Sequence, residues 1–246
     1  MKLYICEKPS QARDLARNLN LKGYGYGFIG NDNKAITWAY GHLVQQLEPN
    51  EYDEKYKRWN LADLPIIPDN WKMKPNPIAK KQLKIVGSLL KKSNHVLIAT
   101  DGDREGETIG RELLDYFNWS GKIERLWLTA LDDKSIKKAL NNILPGEKTK
   151  ALYYAGLGRS RADWIVGMNA TRALTIKSNQ GTLSAGRVQT PTLAIIVNRD
   201  LAIENFKPKD FFDIMATFNG FVTKWKPNKN IDKQNRCINK DYANEV

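Results

Sequence analysis

The chain has 246 residues and a formal net charge of +12, from 39 Lys+Arg against 27 Asp+Glu. A hydrophobic fraction of 41% excludes global disorder, and no apolar run approaches the ~20 residues of a membrane span. Two cysteines and two histidines, far apart, exclude a disulfide framework and argue against a zinc site, while the opening MKLYICEKPSQ does not read as a signal peptide. The expectation is a cytoplasmic protein with no membrane partner. Its basic surface suits a polyanion, of which nucleic acid is the commonest.

In chain order, KLYIC reads as a strand. EKPSQARDLARNL follows as a helix, with Pro9 in the first turn, where a missing N–H costs nothing. GYGYGFIG is glycine-rich but lacks phosphate-loop spacing, so it reads as a loop carrying tyrosines. KAITWAYGHLVQ predicts a strand pair, or a strand with a turn at Gly41. The prolines of residues 64–77 predict an extended connection. IAKKQLKIVGSLLKK has helical apolar spacing with lysines on its other face. HVLIAT is a continuous β-branched run of the kind buried on both faces of a parallel sheet. REGETIGRELLDYF predicts a helix, KIERLWLT a strand and LDDKSIKKALNNI a helix with acids first and lysines later.

This alternation predicts an α/β domain with a mostly parallel sheet flanked by helices, in which sites form at the carboxyl ends of strands. Two strands end in acid there: YIC runs into Glu7 and LIAT into Asp101. From about residue 149 the pattern turns helical, with arginines at 159, 161 and 172. A small-residue loop, GTLSAGRVQTP, then leads into another helix. After KPKD a loose β pattern follows, with a turn signal at Asn219-Gly220. The expected division is 1–148 for the α/β domain, 149–210 for a helical segment and 211–246 for the start of a β-rich domain that then stops.

The stretch DGDREGE puts four carboxylates, Asp101, Asp103, Glu105 and Glu107, into seven residues of a basic chain. Acids at a helix start favour the dipole, and Asp can cap it, which accounts for one or two of them. Clustered carboxylates repel unless a cation intervenes. Asp101, Asp103, Glu105, Gly106 and Glu112 also fit the spacing of a calcium loop. A strand in place of an incoming helix, and Glu at the fifth position, count against that reading. A Mg²⁺ site needs only one or two carboxylates plus waters and phosphate oxygens, and Glu7 arrives from a second strand end. In a basic protein such a site suits phosphoryl chemistry on nucleic acid.

Four motifs in order, Glu7-Lys8-Pro9-Ser10, ATDGDREGE, SRADWIVG and LSAGRVQTPTLAII, resemble the N-terminal part of the type IA DNA topoisomerases, most nearly bacterial topoisomerase III. The resemblance covers almost the whole chain. It implies a Toprim domain in which Asp101, Asp103 and Glu105, with Glu7, form a Mg²⁺ site. Glu7 would sit beside the scissile phosphate and move a proton to and from the sugar 3′-oxygen, and Lys8 would contact that phosphate. Arg159, Asp163, Ser184, Arg187 and Gln189 would belong to a groove for single-stranded DNA. Taken alone, SAGRVQTP reads as a helix start, and Arg159 and Arg161 as a solvated helix face. The family's partners are single-stranded DNA and, for the complete enzyme, negatively supercoiled or catenated DNA.

Family members cut one strand with a tyrosine in a Tyr-Pro-Arg type motif of a later domain. None of the ten tyrosines here precedes Pro-Arg. The expectation is therefore a chain carrying the metal site and part of the groove but not the nucleophile, and so unable to relax supercoils alone. A Toprim nuclease and a DNA-binding relic are the alternatives.

Overall fold

The computed structural model describes residues 1–246. They form two compact units, Met1–Gln189 and Thr190–Val246. In the first unit the elements are β1 (Lys2–Cys6), α1 (Pro9–Asn18), β2 (Tyr24–Gly25), β3 (Phe28–Gly30), β4 (Lys34–Trp38), β5 (Val44–Gln46), α2 (Pro49–Tyr52) and β6 (Met73–Pro75). They continue with α3 (Lys80–Lys91), β7 (His95–Ala99), α4 (Arg104–Tyr116), β8 (Lys122–Arg125), α5 (Asp133–Asn141), β9 (Leu144–Pro145) and α6 (Lys150–Ser178). No helix is long and apolar enough to cross a membrane.

Seven strands form one sheet in the order β2-β3-β4-β1-β7-β8-β9. The central strands β4, β1, β7 and β8 are parallel, and the edge strands pair antiparallel. The continuous apolar runs of β1 and β7 send alternate side chains into two cores. Leu3, Ile5, Val96 and Ile98 meet Leu83, Val86 and Leu113 of α3 and α4 on one face. Tyr4, Cys6, Leu97 and Ala99 meet Leu15 and Ile136 of α1 and α5 on the other. Each fully buried Leu or Ile contributes about 1.5–3 kcal/mol, so the ends of β1 and β7 are held firmly. Those ends carry the acids.

The glycine-rich stretch expected as a loop is instead the β2–β3 hairpin. The Gly30 N–H donates to Gly23 O at 2.9 Å, and both glycines sit at positive φ, which lets the short strands close. The strand expected over KIERLWLT is regular only to Arg125, and Leu128 continues as an isolated bridge to Asp101. The prolines of 64–77 keep that segment extended until β6 pairs with β5. α6 is one helix of 29 residues. It crosses α4 closely because Gly156 has no side chain: a Cβ there would lie 1.9 Å from Thr108 Oγ1.

The second unit contains α7 (Gln189–Glu204), which starts on the last residue of the first, then β10 (Met215–Phe218), β11 (Phe221–Lys224) and α8 (Lys240–Glu245). β10 and β11 form an antiparallel hairpin. Its turn residues Asn219 and Gly220 both have positive φ, as the Asn-Gly signal requires.

Candidate active site

β1 and β7 are adjacent and in register, with Cys6 opposite Ala99, so the residues after them leave the sheet side by side. Glu7 Oε2 accepts the Asp101 backbone N–H at 3.1 Å. Lys8 Nζ lies 3.5 Å from Asp101 Oδ2. Gln11, on the inner face of α1 and fully buried, ties the two ends together. Its Oε1 accepts the Glu7 N–H at 2.7 Å and its Nε2 donates to Asp101 Oδ1 at 3.0 Å.

Asp103 is the N-cap of α4, its Oδ1 accepting the Gly106 N–H at 2.7 Å. The loop folds back tightly here because Gly106 is small; a Cβ would meet Asp101 O at 2.3 Å. Lys8, Asp101, Asp103 and the segment Leu128–Leu131 line an open cleft of about 390 Å³. The Glu7 carboxyl is held above the usual carboxylate range, mainly by burial and further by the charges of Asp101 and Asp103, against the pull of the Asp101 N–H and of Lys8. The cleft thus gathers negative charge, with the Lys8 ammonium at its rim.

Glu105 turns the other way. Its Oε1 lies 2.7 Å from His42 Nε2, and His42 Nδ1 lies 2.7 Å from Glu112 Oε1. The hydrogen bond to Glu112 raises the His42 pKa to about 9 against the opposing effect of burial, while burial raises the Glu112 carboxyl, so the two form one coupled pair with Glu105 at its outer end. Glu112 lies nine residues beyond Asp103 along α4, about 13 Å at 1.5 Å per residue. The calcium-loop reading therefore does not hold, since Glu112 closes on His42 and not on an ion shared with Asp103.

Glu107, the fourth acid of DGDREGE, is structural. It is fully buried and accepts from Arg111 Nε at 2.5 Å, Arg125 Nε at 2.7 Å and Thr149 Oγ1 at 2.8 Å. Arg125, equally buried, also donates to the carbonyls of Ile98 and Thr100 at 3.1 and 3.0 Å and to Asp101 O. It anchors the turn that presents Asp101.

No three acidic, cysteine or histidine side chains converge as a ready-made metal cage. The donor chemistry still suits Mg²⁺, which takes one or two carboxylates and completes its shell with water and phosphate. Asp101 and Asp103 face the cleft with charge that raises Glu7, which is the surplus a divalent cation would offset. For Glu105 to reach the same ion it must part from His42.

The residues expected in the groove form two small clusters. On α6, Asp163 Oδ1 accepts from Arg187 Nη1 at 2.8 Å, and Arg159 Nε lies 3.6 Å from Asp163 Oδ2. Gln189 Nε2 donates to Ser184 Oγ at 2.6 Å. The loop between them is pinned to α6 by the Ala185 N–H donating to Thr171 Oγ1 at 3.0 Å.

Comparison with known proteins matches this architecture. A profile described as Toprim domain covers residues 2–131, and one described as DNA topoisomerase covers residues 147–246. The chain belongs to the type IA DNA topoisomerases. It is 41% identical over 244 residues to DNA topoisomerase 3 of Bacillus subtilis, covering 98% of this chain and 33% of that protein. It is 40% identical over 275 residues to DNA topoisomerase 3 of Haemophilus influenzae, covering all of this chain and 42% of that protein. The chain thus spans about a third to two-fifths of the length of these relatives. Full-length topoisomerase I from Thermotoga maritima shares the fold, with a TM-score of 0.64 at 23% identity over 94% of this chain and 36% of that one.

Sequence reasoning missed Gln11, Arg125 and His42. Gln11 had a signal, being a polar residue on the apolar face shared by Ala12, Leu15 and Ala16. Arg125 carried no such signal, since its strand, KIER, is mostly charged. His42 carried none, because its partners lie 63 and 70 residues away.

Proposed function

We propose that these residues hold Mg²⁺ and single-stranded DNA for a type IA topoisomerase that cuts and rejoins one strand, so that another can pass and DNA is relaxed or decatenated. The observation that carries this is the meeting of Glu7 and Asp101 across adjacent strands, at the edge of an open cleft that also holds Lys8 and Asp103.

When bound by Asp101 and Asp103, the ion supplies the positive charge that lets a phosphate approach acids. The chain's own groups do the rest. Gln11 and Arg125 fix the backbones that carry Glu7 and Asp101. Lys8 places its ammonium against the phosphate. Glu7 carries the proton exchanged with the 3′-oxygen, a poor leaving group unless protonated. Arg187 and Arg159, oriented by Asp163, grip neighbouring phosphates, for which a guanidinium fork is well shaped. Ser184 and Gln189 hold the groove wall beside them. The attacking tyrosine is proposed to lie outside these residues, since none of the ten present precedes Pro-Arg.

The test is covalent trapping. The chain is mixed with end-labelled single-stranded DNA and Mg²⁺, then stopped with detergent. The expected result is retained strand binding with no protein–DNA adduct. An adduct would show that a tyrosine among these residues attacks DNA. Metal-dependent nicks with free ends would instead mark a nuclease.

A further inference from the structure

A second cleft, of about 380 Å³, opens at the same edge of the sheet and is lined by Tyr26, Trp38, Tyr40, Ile78 and Lys81. Its walls mix polar groups with large side chains left exposed. Tyr26 is 78% exposed, Tyr40 62% and Ile78 96%. Neighbouring large side chains left in water mark a contact site more often than an accident of folding.

The rings are held in place. Trp38 Nε1 donates to Tyr40 Oη at 3.1 Å, which fixes both aromatics. The hairpin turn carrying Tyr26 is anchored through Gly27 O, which accepts from Thr37 Oγ1 at 2.9 Å and Gln82 Nε2 at 3.0 Å. Aromatic faces that do not need ordering on contact make good stacking platforms.

The surrounding charge identifies the occupant. From Trp71 to Thr100 the chain has seven lysines and no acid. Lys80, Lys81 and Lys84 lie along the exposed side of α3 without an acidic side chain paired to them within 4.0 Å. Aromatic rings interleaved with unpaired cations are the chemistry that holds unpaired bases and their phosphates without sequence preference.

The cleft lies at the same end of the sheet as the candidate active site, with which it shares no lining residue. β4 is the other neighbour of β1, with Cys6 opposite Trp38 and the Ala39 N–H donating to Cys6 O at 2.9 Å. Two residues beyond that pair come Lys8 and Tyr40, each just past the end of its strand. Neighbouring strands lie ~4.8 Å apart, so Lys8 and Tyr40 leave the sheet from adjacent positions.

We propose that Tyr26 and Tyr40 form a stacking platform for unpaired nucleotides flanking the reactive phosphate, with the lysines of α3 holding their backbone. This surface is separate from Arg159, Arg187 and Gln189. It rests on the reading that the chain binds single-stranded DNA.

The test measures binding of a fluorescent 25-mer oligo-dT by anisotropy, using the full chain, Tyr26→Ala/Tyr40→Ala and Tyr26→Phe/Tyr40→Phe. Stacking predicts at least a tenfold loss for the alanine pair, near-parental binding for the phenylalanine pair and no change on duplex DNA, whose bases are not free to stack. In a second experiment, an oligonucleotide carrying 5-iodouracil is photocrosslinked to the unmutated chain, with crosslinks expected at Tyr26 or Tyr40. Parental binding by the alanine pair, or crosslinks confined to other residues, would overturn the platform and leave the proposed function standing. No binding of oligo-dT by the unmutated chain would overturn both.

Discussion

The acids around the start of α4 divide into two groups with opposite fates. Glu107 and Glu112 lie in the buried part of the helix, each met by a basic side chain: Arg111 and Arg125 for the first, His42 for the second. Asp101 and Asp103 precede the helix at the strand end and open onto a cleft with Lys8 as the one nearby ammonium. One short acidic stretch therefore supplies both a buried brace and an exposed donor set. The difference is set by packing, since α4 is buried all round from Gly106 to Leu114 while the turn before it opens onto the cleft. A buried charge must be paired, whereas an exposed cluster can wait for an ion.

The largest effect should come from breaking the brace. Glu107→Ala leaves Arg111 and Arg125 buried without their anion, which costs about 3–5 kcal/mol in urea unfolding. A variant as stable as the parent would show that the buried acid is not structural. Asp103→Asn should do the reverse. Asn still caps α4, so stability stays within about 0.5 kcal/mol, while affinity for a divalent cation falls at least tenfold by titration. Gln11→Leu tests the link between the two. It leaves the Glu7 N–H without its acceptor and costs about 1–3 kcal/mol, and it should also weaken cation binding by freeing Asp101. Unchanged cation binding would reduce Gln11 to a packing residue.

The smallest effect tests a pair outside the core of the sheet. Asp232, in the second unit, is pulled down to about 2 by the side-chain hydrogen bond from Arg236 and by backbone N–H groups. A depressed carboxylate stabilises the fold above its unfolded value near 3.9 and loses that contribution as the pH falls through the folded value. Carbon-detected NMR should place its midpoint near 2, moving up in Arg236→Ala; a midpoint near 3.9 in the parent would show that the pair does not hold in solution.

Much of this was legible in the sequence, and the rest was not for definite reasons. The runs KLYIC and HVLIA announce buried strands, and acids at their ends announce a site, because apolar continuity and strand-end position are local signals. That the sheet is mostly parallel follows from the α/β pattern, but the pairing of β1 with β7 does not. The direction in which Glu105 points does not, because it depends on His42 arriving from another part of the chain. Arg125 was hidden for the same reason, since its worth lies in carbonyls 24 to 27 residues away. The β2–β3 hairpin escaped because paired glycines at positive φ look like a loop in a linear reading.

The most direct test of the account is binding of Mn²⁺, a paramagnetic stand-in for Mg²⁺, followed by electron paramagnetic resonance with and without oligo-dT. The account predicts one bound ion per chain, held more tightly when the oligonucleotide is present and lost in Asp101→Asn/Asp103→Asn, but unaffected in Asp232→Asn. Binding that survives loss of both aspartates, or that never occurs even with DNA, would contradict it.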